Sequence, residues 1–386
     1  MIKNSDVLLE VDDTLMEGLI SEIYEISEEE FKETKTWLKD MEKDSRLLAA
    51  DVLIDIPPPS KAILKNKIVI GVDAGSAQRK YDAISLLLAA SCTYSSKLPN
   101  TKISQKYGSK IVYCPPYKSD IAISLYMRGL EYLVAHASSE EFLSNGEKPD
   151  LILFDGPLTF PEEMEVISEV SWIKKAYSWF LQKSNSFFEF VKREKIPVVS
   201  VTKDPMANKY LKSIYLQFIR DVEPRPRCKS ELRDISNSYN LFEERWDRYE
   251  KMSELGIIKR AMWDKKLMRT KAIEITTALK EEMPIKFLRE GVCGFYIKIE
   301  KDRRPYFVEI PCFFMDQINE ILSALTSFSY YSPFRGYPSP LYFAHKTATL
   351  TQKFSENVFS LAHMSARRIL GGDYPVLFEE RYREEM

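Results

Sequence analysis

The chain has 386 residues, of which 45% are hydrophobic and 12% aromatic, a composition typical of a globular protein and not of a disordered one. Its 55 Lys and Arg residues and 57 Asp and Glu residues give a formal net charge of −2, which excludes a protein that is basic along its whole length. A local basic groove is not excluded, because such a function depends on how the charges are distributed. Glycine is scarce, and neither common glycine-rich nucleotide-binding motif occurs.

The cysteines and the apolar segments indicate the cellular compartment in which the protein is expected. Five widely spaced cysteines without a C-x-x-C pair argue against a disulfide framework and against a zinc cluster. The first ten residues carry acids and no apolar segment, so we expect no signal peptide. The strongest apolar run, 83–92, is about half the length needed to span a bilayer. The sequence therefore predicts a soluble protein of the reducing cytoplasm that does not contact a membrane.

The first part of the chain predicts alternating elements. Residues 1–60 are charged, with apolar residues at helical spacing, and predict a helical region that ends at the prolines of 57–59. Beyond it, short apolar runs predict strands and longer periodic segments predict helices. In chain order these are strands at 67–72, 81–91 and 110–114, a helix at 119–136, a strand at 151–154, a helix at 161–193 and a strand at 197–201. Three strands followed by alternating helices and strands are the order of an RNase H-like α/β fold, whose mixed sheet is flanked by helices.

The second part of the chain predicts additions to this core. Segment 206–286 is polar and rich in Arg, Lys and aromatic residues, and we interpret it as a helical insertion. Segments 294–300 and 304–311 predict a β-hairpin, followed by a helix at 315–325 and a last helix near His345. We therefore expect one unit at 61–386 after the N-terminal region, divided as follows: a core at about 66–205, the insertion at 206–286 and C-terminal elements at 287–386.

Two aspartates follow buried strands of the predicted sheet. Asp73 ends the first of these strands and Asp155 ends the fourth, and each has a glycine close behind it. Adjacent strands lie about 4.8 Å apart, so neighbouring strand ends would place both carboxylates within reach of one ion. Oxygen ligands without a cluster of His or Cys favour Mg²⁺ or Mn²⁺ over zinc. The alternative is that each aspartate only caps the turn or helix that follows it.

Three further residues are candidates for the same site. Glu131 lies inside the helix predicted at 119–136, beside its apolar face, and is either a third ligand or a boundary residue that reaches solvent. His345 follows a proline-constrained loop and is a candidate metal ligand or proton shuttle. Lys203 follows the fifth strand and either contacts a phosphate or is solvated. Clustered acids are what two-metal hydrolysis of a phosphodiester requires, with cations roughly 3.5–4 Å apart.

Four segments, taken together and in this order, resemble the NurA nucleases of archaea: 68–76, 153–158, 199–203 and 336–345. The resemblance runs from about residue 66 to residue 350. It implies an RNase H-like core and a Mn²⁺- or Mg²⁺-dependent DNA nuclease, with 5′-to-3′ exonuclease and single-strand endonuclease activity in DNA end resection and repair. It also implies a homodimer and docking onto HerA, a hexameric ATPase that translocates DNA.

The resemblance assigns six site residues: Asp73, Glu131, Asp155, Lys203, Tyr337 and His345. The three acids and the histidine would bind the metal, the histidine and the tyrosine would form the C-terminal active-site pair, and the lysine would be the basic residue after the fifth strand. The chain departs from the family pattern at Ala74, where a second glycine is frequent, and at Pro157, where serine is frequent. Neither departure removes a ligand.

Two other functions stay open at this point. A non-catalytic NurA-like adaptor would bind DNA or the ATPase without turnover. An RNase H-like enzyme acting on RNA or on a hybrid would contact 2′-hydroxyl groups, which the sequence does not reveal. The leading hypothesis is the nuclease, and it predicts an acidic pocket inside a basic rim, since bound cations supply the positive charge at the centre.

Overall fold

The computed structural model describes residues 53–56, 58–60, 67–98, 101–158, 170–203, 210–211, 213, 254–275, 285–334, 336–371 and 377–378, with residue 39 in addition. Most of the helical region predicted at 1–60 therefore lies outside the described residues. Its described end holds a strand, β1 (Leu53–Asp55), where the prediction had helix.

The strands of the described residues form one mixed sheet. After β1 its members are β2 (Val69–Lys80), β3 (Ser85–Leu98), β4 (Thr101–Ser104), β5 (Tyr107–Cys114), β6 (Leu151–Asp155), β7 (Val198–Thr202), β8 (Met268–Thr270), β9 (Ile273–Glu274), β10 (Val292–Lys298) and β11 (Tyr306–Pro311). Their order is β1-β8-β10-β11-β7-β6-β2-β3-β4, with β5 beside β3 and β9 beside β10.

The centre of this sheet has the RNase H-like arrangement. Strands β2, β3 and β5 pair antiparallel, and β6 and β7 then add in parallel beside β2. The first four residues of β6 and of β7 are buried, because helices cover both faces, which explains their nearly continuous apolar sequences. The predicted fold class is thereby confirmed.

Helices cover the two faces of the sheet. Among the described residues, the helical elements include the α-helices α1 (Ser119–Ser144), α2 (Ser171–Glu194), α3 (Glu254–Ala261), α4 (Ile318–Tyr330), α5 (Ser339–Ala348) and α6 (Gln352–Leu370), and 3₁₀ helices at Lys286–Glu290 and Cys312–Gln317. Phe154 of β6 contacts Tyr132 of α1, with ring centroids 5.3 Å apart. The α-carbon of Gly71, one register position away on β2, faces α5. Because successive strand residues face opposite ways, α1 and α5 lie on opposite faces.

Several predicted boundaries differ from the structure. Strand β2 continues to Lys80, so Asp73 lies within a strand and not at its end. The segment predicted as a helical insertion contains α3, but it also contributes β8 and β9. These strands have three and two residues, too short to show alternation, and they form by pairing with β10. The predicted hairpin is present as β10 and β11.

The composition predicts a chain without a membrane span and without a disulfide framework. Within the described ranges, no helix is both long enough and apolar enough to cross a membrane. Cys92 and Cys114 are buried free thiols, and the Sγ atoms of Cys293 and Cys312 lie 2.9 Å apart.

Candidate metal centre

The register between β2 and β6 brings the two candidate aspartates together. The parallel pairing runs up to Val72 beside Phe154, and the next residue of each strand is an aspartate. Strand β6 ends there, whereas β2 continues in its pairing with β3. The side chains of Asp73 and Asp155 consequently point to the face that α5 covers. Asp73 is 7% exposed, so its carboxylate is held at the floor of the site.

Helix α5 adds a histidine to these carboxylates. The Nδ1 atom of His345 lies 2.7 Å from Oδ2 of Asp73 and 3.7 Å from Oδ2 of Asp155. One ligand atom from each of the three residues lies within 4.8 Å of the other two, which is close enough for a single cation. Two carboxylates and one imidazole form a donor set that fits a divalent cation. We refer to Asp73, Asp155 and His345 as the metal centre.

Two glycines of β2 allow α5 to approach so closely. A Cβ atom at Gly71 would lie 2.2 Å from the carbonyl carbon of Pro340, and one at Gly75 would lie 2.3 Å from the carbonyl oxygen of Ala348. Backbone therefore meets backbone at both ends of the helix. This contact sets the position of His345 above Asp73, so these two glycines of β2 position a ligand that lies far away in the sequence.

Glu131 lies beside the metal centre but outside it. The residue is buried in α1, and its Oε2 accepts a hydrogen bond of 2.8 Å from Nη1 of Arg128. Burial raises the pKa of Glu131 to about 8; Arg128 opposes the rise, and the charges of Asp73 and Asp155 add to it. The structure therefore places Glu131, the predicted third ligand, close enough to interact electrostatically with Asp73 and Asp155. Its carboxylate, however, bonds to Arg128 of the same helix.

Arg128 also explains the Asp-Gly pair at 155–156. Its Nη1 donates to the carbonyl oxygen of Asp155 at 3.1 Å, and its guanidinium occupies the place where a side chain of residue 156 would be. A Cβ atom at Gly156 would lie 2.3 Å from Nη2 of Arg128, and Gly156 has a φ of +94°. Glycine is needed there for both reasons. Sequence reasoning missed Arg128, because an arginine three residues before a glutamate also suits an exposed helical pair.

A second buried charge holds the other end of the same turn. Glu309 of β11 is fully buried, and its Oε2 accepts a hydrogen bond of 2.6 Å from the backbone N–H of Leu158. Arg128 and Glu309 thus fix the backbone that carries Asp155 from two sides. Glu309 was also missed, although an acid inside the apolar segment 306–311 was an available signal, since acids are rarely buried without a partner.

Lys203 and Tyr337 reach the metal centre from the ends of β7 and of the loop before α5. The Nζ atom of Lys203 donates to Oδ2 of Asp155 at 2.9 Å and lies 4.3 Å from the ring centroid of Tyr337. Tyr337 is buried. Burial, followed by the negative charge of Asp155, raises the pKa of its hydroxyl, so the phenol keeps its proton at neutral pH.

The two carboxylates of the metal centre repel each other. Burial and the nearby charge of Asp155 raise the pKa of Asp73 to about 6, against the hydrogen bond and the charge of His345. Two carboxylates in a partly buried site disfavour each other's ionisation. A cation between them removes this cost, which gives the centre a physical reason to bind one.

We expect replacement of Arg128 by methionine to destabilise the protein by about 1–3 kcal/mol, because the change leaves the buried side chain of Glu131 and the carbonyl oxygen of Asp155 without their hydrogen-bond donor. Urea unfolding at pH 7.5 measures the effect. The matched control is the double variant Arg128→Met with Glu131→Leu, which should recover much of the loss because the buried polar partner is removed as well. A single variant as stable as the wild type would contradict the assigned pairing.

Comparison with known proteins agrees with this fold. The chain resembles the crystal structure of the NurA nuclease from Sulfolobus solfataricus with a TM-score of 0.58 at 14% identity, over 92% of this chain and 98% of that one. A second NurA crystal structure gives a TM-score of 0.52 at 13% identity, over 96% and 99%. A comparison of the sequence with curated proteins found no significant match. The family model of the NurA domain matches residues 67–350, a range that begins just before β2, ends just after α5 and includes all six candidate residues. The chain therefore belongs to the NurA family.

Proposed function

We propose that this protein is a metal-dependent nuclease that hydrolyses the phosphodiester bonds of DNA. The observation that carries the proposal is the convergence of Asp73, Asp155 and His345, whose ligand atoms lie within 4.8 Å of one another on the neighbouring central strands β2 and β6 and on α5 of an RNase H-like fold. Membership of the NurA family supports it independently. Divalent cations bound to such a site supply charge stabilisation for the attacking and leaving oxygens of the phosphate.

Each residue has a role that its contacts support. Asp73, Asp155 and His345 hold a cation, and we propose Mn²⁺ or Mg²⁺ because two of the three donors are carboxylates. Glu131 is the candidate for a further ligand, and it can serve only if its carboxylate turns from Arg128. Lys203 now bonds to Asp155. When a metal cation binds the Asp155 carboxylate, its charge repels the ammonium group of Lys203. The ammonium group is then free to contact a phosphate of the substrate.

Tyr337 orients the groups around it. Its phenol keeps a proton beside Asp155, and its ring lies under the Nζ atom of Lys203. A protonated phenol can donate a hydrogen bond to Asp155 or to a phosphate oxygen, and the cation–π contact steadies the lysine. We propose that it is the C-terminal partner of His345 in the active site.

The finer features of the proposal come from family membership. We propose 5′-to-3′ exonuclease activity together with endonuclease activity on single strands, in the resection of DNA ends for repair. We further propose a cytoplasmic homodimer that docks onto a hexameric ATPase of the HerA type. Labels at the 5′ and the 3′ end of the same duplex distinguish the two polarities, and sedimentation measures the oligomeric state.

The test of the proposed function is cleavage of end-labelled single-stranded and duplex DNA with Mn²⁺, with Mg²⁺ and with EDTA. Asp155→Asn should lower the cleavage rate by more than about 100-fold, the upper range for groups that only support a ligand. The control is Asp120→Asn, an exposed acid at the start of α1 that pairs with Lys80, and it should cleave like the wild type. Cleavage in EDTA, or equal cleavage by Asp155→Asn, would refute the assignment.

One observation favours the adaptor as a second candidate. The protein's own cations already pair with two of the acids, since Lys203 bonds to Asp155 and Arg128 bonds to Glu131. A permanently balanced cluster of this kind needs no metal. Calorimetric titration with Mn²⁺ separates the candidates, because the nuclease binds the cation and an adaptor binds DNA equally well without it. A panel of DNA, RNA and hybrid substrates tests the enzyme acting on RNA.

A further inference from the structure

A flat aromatic stack with a cation at each end lies near the metal centre. The rings of Phe334 and Tyr342 are parallel to within 6°, with centroids 5.6 Å apart. The guanidinium carbon of Arg303 lies 5.1 Å from the centroid of Phe334, and Nζ of Lys346 lies 5.6 Å from that of Tyr342. We call these four residues the aromatic platform.

Helix α5 connects the aromatic platform to the metal centre. Tyr342 lies three residues before His345 on this helix, and Lys346 lies four residues after Tyr342. Residues three and four apart share a helix face, so Tyr342 neighbours both His345 and Lys346. The side chain of His345 is 52% exposed, although its Nδ1 reaches Asp73. One continuous helix, α5, thus carries both a residue of the metal centre and two residues of the aromatic platform.

Phe334 is partly open to solvent. It lies between α4 and α5 and is 45% exposed, although its ring stacks on that of Tyr342. Arg303 covers the ring from the turn between β10 and β11, where residues 301–304 are all exposed. Two more basic residues, Lys301 and Arg304, stand in this turn. Aromatic faces among exposed cations are the composition of surfaces that bind single-stranded nucleic acids.

We infer that the aromatic platform binds an unpaired base of a single-stranded DNA segment whose phosphate lies at the metal centre. An exposed cation–π contact is weaker than the stacking of a base on an aromatic ring, so a base displaces the guanidinium of Arg303 from Phe334. The freed guanidinium and the ammonium of Lys346 can then contact phosphates. The interior of a duplex cannot use the platform, because its bases are already stacked on one another. The inference rests on the proposed function, since it requires a DNA phosphate at the metal centre.

The test measures binding without cleavage. Fluorescence anisotropy of the full-length protein with Ca²⁺, which carboxylates also bind, compares a single-stranded oligonucleotide with the duplex of the same sequence, and a gel run afterwards checks that the DNA is intact. Phe334→Ala should weaken single-strand binding about tenfold and leave duplex binding unchanged, while Phe334→Trp should retain it. Phe354→Ala is the matched control, because Phe354 is a phenylalanine of similar exposure, 51%, on α6.

A substrate-side measurement separates stacking from a structural effect. A series of oligonucleotides carries one abasic site, each at a different position. Binding to the wild type should weaken when the abasic site falls at the base that stacks on the platform, whereas binding to Phe334→Ala should not depend on where the abasic site lies. Equal loss for single strand and duplex, no loss in Phe334→Ala, or no dependence on the abasic position would overturn the inference. Base-dependent binding without any cleavage would refute the nuclease alone, whereas cleavage with unchanged binding by Phe334→Ala would refute the platform alone.

Discussion

Asparagine in place of Asp73 should stabilise the metal-free protein and abolish its response to divalent cations. The pKa of Asp73 is raised from its ordinary 3.8 to about 6 in the folded protein, chiefly by burial. The folded state then binds the proton more tightly than the unfolded chain, so this group's contribution to stability is complete below pH 3.8 and is lost as the pH rises through 6. Asparagine stays neutral and avoids this loss.

The variant and the wild type should therefore diverge with pH. In EDTA their free energies of unfolding should be similar near pH 4 and differ by on the order of 3 kcal/mol in favour of the variant at pH 8. Urea unfolding at several pH values measures the gap, and Asp120→Asn, which removes an exposed acid, should show no such trend. A variant less stable than the wild type at pH 8 without metal would contradict the burial argument.

Added Mn²⁺ should close most of the gap in stability between the two proteins. A ligand present at 100 times its dissociation constant stabilises the folded state by about 2.7 kcal/mol. The wild type should gain this stability because the cation removes the repulsion between Asp73 and Asp155. Asp73→Asn lacks one of the two carboxylates and should gain little. An equal shift of the melting temperature in both proteins would place the bound ion elsewhere.

Replacement of Gly71 by alanine should impair stability and metal binding together. The added Cβ would lie 2.2 Å from the carbonyl carbon and 2.4 Å from the oxygen of Pro340, and 2.6 Å from the nitrogen of Leu341. These are backbone atoms, so no side-chain rotation relieves the overlap and α5 must move. Overpacking of this kind typically costs about 1–3 kcal/mol, and the shift also carries His345 away from the aspartates.

The control for Gly71→Ala is a glycine whose backbone has a positive φ but whose added Cβ would meet no neighbouring atom. Gly146, just after α1, has a φ of +76° and nothing within 4 Å of an added Cβ. Gly146→Ala should cost about 1 kcal/mol through backbone strain and leave the affinity for Mn²⁺ unchanged. Calorimetry on both variants separates a general loss of stability from displacement of α5. Unchanged metal affinity in Gly71→Ala would show that the position of His345 does not depend on this contact.

Local sequence patterns determined the core elements of this protein and both aspartates of the metal centre. Apolar runs and helical periodicity predicted the β strands of the core, α1 and the terminal hairpin, because each depends on which face of a short segment is buried. The same patterns placed an aspartate at the end of β6 and an acid inside α1. The near-neutral charge of −2 left room for a cation-binding cluster inside a chain that also carries basic residues.

Only the tertiary structure decided how these residues meet. Asp73 and His345 are 272 residues apart, and their contact depends on backbone packing at Gly71 that no local pattern expresses. Glu131 looked like a ligand in the sequence, yet Arg128 holds it, and Glu309 reaches the Asp155 turn from a strand 151 residues beyond Leu158. Periodicity reports whether a face is buried, whereas the partner of a buried charge is set by the register and packing of distant segments.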